Sequence, residues 1–176
     1  LSVGVKASEW GEDILRIDRS IDVGGMDPSR YGIFLQEYYQ FHEHGANLFG
    51  YVLYAEDEVV VQEVYYDPPI PILIDGLMEE EVEILATIWE DGNERQEWQE
   101  WSGFQTPLSW LDIDPHERDR EPLGSYWTSN TGEERGWHFS RSALLTSQWW
   151  LRDDGYYFES QQFTGLTLPD PREYFG

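Results

Sequence analysis

The chain has 176 residues, 40% of them hydrophobic, with nine Trp, eleven Tyr and eight Phe, which is enough to build one cored domain over residues 1–176. Thirty-five acids face eleven bases for a net charge of −24, which disfavours a broad phosphate-binding face and so direct nucleic-acid binding, as well as anionic membrane surfaces. No cysteine is present, so disulfides and thiolate metal sites are excluded. No run reaches the roughly 18 apolar residues of a membrane-spanning helix. Leu1 to Lys6 lacks the length and cleavage pattern of a signal peptide, and the absence of an initial Met fits removal of an upstream segment.

In chain order, the alternation of Leu1, Val3 and Val5 predicts a first strand over residues 1–8, and residues 13–23 a second, broken by Gly24-Gly25. Residues 28–43 read as the main helix. Asp27 can cap it, Pro28 suits its first position, and Tyr31, Phe34, Leu35, Tyr38 and Phe41 recur at three- and four-residue spacing. The stretch 47–66 reads as a central β-hairpin around the acidic loop 55–58. Its first arm is apolar on both alternating sets, as in a strand covered on both faces; its second arm is interrupted by Gln62 and Glu63.

Prolines 68, 69 and 71 predict an extended turn and a short edge strand at 70–74. Residues 79–101 fit either an acidic-start helix or a hairpin turning at Asp91-Gly92, and the hairpin is preferred. Residues 102–136, with three prolines and little periodicity, are expected to form a long irregular loop. A last hairpin spans 139–163 with a turn at 152–155, and 169–176 form a tail. The expected fold is α+β, mostly antiparallel β, as a sandwich or bent sheet of hairpins with one main helix.

Two clusters contain metal-ligand residue types. His42 and His44, two apart on a strand, would point the same way and could share a metal. Asp112 and Asp114 open like an EF-hand calcium loop, but Glu117 and Leu123 stand where that pattern needs Gly and Glu; a looser Ca2+ site would use Asp112, Asp114, Glu117 and Asp119. The alternative for both is a solvated surface. No nucleophile elbow, phosphate loop or dinucleotide fingerprint occurs. With 35 acids, some carboxylate pair always exists and singles out no catalytic site. Catalytic residues and a cofactor are therefore not assigned.

Tryptophans interleaved with acids are more informative. Glu94, Glu97, Trp98, Glu100 and Trp101, with Trp149 and Trp150, are the candidate partner-binding residues, since Trp supplies anchors and Glu steering charge. The alternatives are core packing for the rings and edge-strand protection for the acids. The expected function is a non-catalytic acidic binding protein: an inhibitor or immunity-type partner of a basic protein, or a subunit of a larger assembly. The rival is a carbohydrate-active enzyme or sugar-binding module using carboxylates and tryptophans. The acidity also fits adaptation to a salt-rich environment, where screening relieves self-repulsion.

Overall fold

In the computed structural model, residues 3–11, 14–21, 33–42, 45–73, 81–105, 123–139 and 145–163 are described. A short helix, α1 (Val3–Trp10), precedes ten strands: β1 (Ile14–Ser20), β2 (Phe34–His42), β3 (Gly45–Tyr54), β4 (Val60–Leu73), β5 (Glu81–Glu90), β6 (Asn93–Gln105), β7 (Leu123–Ser129), β8 (Glu134–Phe139), β9 (Leu145–Leu151) and β10 (Tyr157–Phe163). Every strand pairs antiparallel with its neighbour in sequence, in the order β1 to β10. The result is one sheet and not a sandwich. It curls until β1 and β10 come close, and its concave face holds the main core.

The predicted helix over 28–43 is not formed where it is described: residues 34–42 are strand β2. Its inward residues Leu35, Glu37 and Tyr39 are buried, and outward Tyr38 is covered by α1. A strand covered on both faces loses its polar alternation, so helical spacing fits it by accident. The strand expected at 1–8 is corrected in the opposite direction, since its described part, 3–8, is helical. Val3, Ala7 and Trp10 form the packing stripe of α1, laid on the convex face against Tyr38, Phe49, Val52 and Tyr65, while Val5 is exposed. Glu63 on β4 accepts from the Val3 N–H at 3.1 Å, satisfying a donor that the first helical turn leaves free.

The central hairpin forms as expected, and β3 is buried from both sides through Tyr51, Val52 and Leu53. The prolines do not end it. β4 runs through Pro68, Pro69 and Pro71 to Leu73; its pairing with β3 breaks at 66–69, where Pro68 and Pro69 lie, and resumes at 70–73. β5 pairs with β4 only as far as Asp67, so the prolines lie where no second ladder needs their missing N–H. The hairpin at 79–101 is borne out as β5 and β6, turning at Asp91 and Gly92 with φ of 54° and 76°, the twist-matched turn that favours such a pair. The last hairpin also forms, as β9 and β10, but its first arm starts at Leu145, and Phe139 ends β8 instead.

The long loop expected at 102–136 is largely strand in its described part: β6 continues to Gln105, and β7 and β8 form a further hairpin. Residues 106–122 and the tail 169–176 lie outside the described residues. Two glycines of this region have a packing role. A Cβ on Gly103 would lie 2.5 Å from the indole of Trp127, and one on Gly136 would lie 2.2 Å from Trp149 Nε1. Each glycine faces its tryptophan directly across a strand pair and leaves room for the ring to lie across the neighbouring backbone. Trp127 is fully buried, whereas Trp149 is half-buried and has room to yield. Gly103→Ala is therefore expected to lower stability by about 1–3 kcal/mol in urea unfolding, and Gly136→Ala by less. Equal, negligible effects would show that neither glycine is needed for ring packing.

Candidate functional site

The concave face is not purely apolar. Glu37 on β2 accepts from Arg19 Nε on β1 at 2.6 Å and from Arg135 Nη2 on β8 at 2.8 Å. Gln148 on β9 donates to Glu37 at 2.5 Å and accepts from Arg135 at 2.9 Å. The side chains of Arg19, Glu37 and Arg135 are completely buried. The Arg135 guanidinium carbon lies over the rings of Trp150 and Trp137, 4.4 and 4.6 Å from their centres. Burial opposes its charge, but the Glu37 carboxylate outweighs that cost and holds its pKa above the usual arginine value. Beside it Trp137 Nε1 donates to the Tyr39 hydroxyl at 3.0 Å.

At the end of the sheet where the β5–β6, β7–β8 and β9–β10 turns gather, this interior opens into a small chamber of about 20 Å³, room for one or two water-sized groups. Tyr51, Tyr66 and Trp150 form its aromatic wall, and Gln62 and Glu133 add polar groups. Its mouth is set by Arg95, Glu97 and Arg152. Gln62 is held by the Tyr51 hydroxyl at 2.6 Å and donates to Glu90 at 2.8 Å.

Burial pushes Tyr51 and Tyr66 well above the usual phenol pKa. Glu133 is half-buried as a residue, yet its Oε1 is enclosed and without a partner. Burial raises its pKa to about 7, against the opposing pull of Arg135 and the Trp150 N–H. Within the same cluster Trp150 Nε1, Arg135 Nε and Arg135 Nη1 are also enclosed without hydrogen-bond partners. The interruption at Gln62 was the sequence signal for this chamber; Glu133, in the expected loop, gave none.

The predicted partner-binding residues divide between the two faces. Trp98 is 64% exposed on the convex face, and Glu94 and Glu100 share that face and are exposed. Glu97 points the other way, into the chamber mouth, bonded to Gln99 at 2.7 Å. Trp101 and Trp150 are core residues, 0% and 1% exposed, and so do not provide the expected surface anchors. Trp149 is half-buried on the convex face beside Tyr126. His42 lies at the end of β2; His44, Asp112, Asp114, Glu117 and Asp119 lie outside the described residues. Among the described residues, no three His, Cys, Asp or Glu gather as a metal site, and no helix is long and apolar enough to cross a membrane. No family model, curated protein or solved structure matches the chain.

Glu37→Gln leaves two buried guanidinium groups without their carboxylate and is expected to cost about 3 kcal/mol or more, read as a shift of the urea midpoint; an unchanged midpoint would remove the network from the stability argument. Glu133 couples stability to pH. Because it holds its proton more tightly when folded, it lowers stability as pH rises from the ordinary 4.5 to about 7. Over that window the stability of the native protein should fall relative to Glu133→Gln, measured by paired thermal melts; parallel curves would contradict the enclosed-carboxyl reading.

Proposed function

We propose that the protein is a non-catalytic binding protein that engages a basic protein partner, as an inhibitor or immunity-type partner or as an assembly subunit. The observation that supports this reading is Trp98, an exposed indole standing among acids on the convex face of the β5–β6 hairpin. The outward residues of this hairpin include Glu81, Glu83, Glu94 and Glu100, and no lysine or arginine. Glu83 faces Glu100 directly across the strand pair. Opposed like charges destabilise a sheet, and a partner cation would relieve that repulsion. Edge protection needs charge alone and gives no reason for an exposed tryptophan. An indole that becomes desolvated on docking is a strong anchor, while rim acids mainly accelerate encounter.

Capture from the native source should retain a basic protein. Trp98→Ala should weaken that binding by roughly 2 kcal/mol with an unchanged unfolding midpoint. Glu100→Lys should mainly slow association and flatten its salt dependence. Recovery of the isolated chain alone, or a Trp98→Ala variant that binds normally, would overturn this reading.

A further inference from the structure

We propose a second binding site: the chamber at the open end takes a small neutral ligand through one of its hydroxyl groups, as a polyol or monosaccharide supplies. The argument starts from two enclosed atoms in its wall. Trp150 Nε1 is a donor on a residue 1% exposed, and Glu133 Oε1 is an acceptor; neither has a partner. The indole N–H is near enough to act on the Glu133 carboxyl, yet the two do not meet in a well-formed bond. A buried donor and acceptor left unsatisfied each carry a cost of about 1–3 kcal/mol. A hydroxyl relieves both, because it accepts from the indole and donates to the carboxylate at once.

Charged ligands fit less well. A cation would satisfy Glu133 but would meet Arg135 at 4.4 Å and Arg152 at 5.7 Å from the Trp150 ring centre, cations already on that indole. An anion would satisfy the indole and meet Arg95 and Arg152, but it would also face three acids, Glu133, Glu97 and Asp153, in a chain of net charge −24. The enclosed volume of about 20 Å³ accepts one hydroxyl group. The remainder of the ligand would lie in the mouth, where Arg95, Glu97 and Arg152 offer further donors and acceptors and Tyr51 and Tyr66 offer ring surface. An ordered water presents the same chemistry at the inner position, so the experiment must separate the two sources. This site lies on the concave side, and its occupancy is independent of the docking face around Trp98.

The test uses the indole N–H resonances of the full 15N-labelled chain, titrated separately with glycerol, D-glucose, sodium acetate and methylammonium chloride. The Trp150 signal is assigned by its loss in Trp150→Phe. Glycerol or glucose is expected to move it saturably while the Trp98 signal stays in place. Glu133→Gln should weaken that response about tenfold, the loss of one charge-assisted hydrogen bond, and Trp98→Ala should leave it unchanged. If Trp150→Phe does not fold, the same assignment is made from Glu133→Gln, which perturbs the neighbouring indole selectively. No saturable shift with either hydroxyl compound would mean an ordered water only and would overturn the proposal. A response to acetate or methylammonium alone, or one that Glu133→Gln leaves intact, would overturn it as well.

Discussion

One buried carboxylate ties together strands from the two ends of the curled sheet. Glu37 joins β1, β2, β8 and β9 through Arg19, Arg135 and Gln148, elements far apart in the linear strand order. A meander of antiparallel neighbours satisfies its own backbone ladder whether open or curled, so the ladder alone does not determine closure. Burial of the inward aromatic and apolar side chains favours the curl, and the inward charges select which strands meet. Removed from water, each needs a partner, and the partners stand on opposite ends of the sheet. Curling brings them together and allows four buried tryptophans, 101, 127, 137 and 150, to share one interior.

That polar interior has a consequence at the open end. Arg135 uses Nη2 on Glu37 and Gln148 and lies over the rings of Trp137 and Trp150, while its Nε and Nη1 have no partner. The aromatic rings that exclude water from the ion network also enclose Glu133, which is why its proton affinity is raised. The same layer thus closes the core and lines the chamber. The convex face follows different constraints. Under α1 it is apolar and covered, whereas over the β5–β6 hairpin it is acidic and carries Trp98. The inner chamber and the outer acidic face can therefore be altered separately by mutation.

Legibility in the sequence followed local chemistry. Asp91-Gly92 specified its turn because two successive residues there take positive φ, and the hairpins at 47–66 and 139–163 were visible from their strand formers and turn residues. Reading failed where tertiary contact replaced solvent as the neighbour. Tyr38 is apolar on a face that would otherwise be polar because Trp10 covers it, and β2 then resembled a helix. The packing role of Gly103 was not legible because its tryptophan partner, Trp127, comes from a different strand.

The sequence by itself determined a strand-rich, aromatic, strongly acidic chain and three of its hairpin turns, at 55–58, 91–92 and 152–155, since these depend on residues close together along the backbone. It also marked Glu94, Glu97, Trp98, Glu100 and Trp101 as one interleaved run of acids and tryptophans, without dividing them between the two faces. Only the tertiary structure decided that Trp101 and Trp150 are core, that Glu97 faces the chamber, and that Glu37 meets Arg135 across 98 positions. The direction of curl selects which face becomes the interior, and local spacing carries no record of that choice.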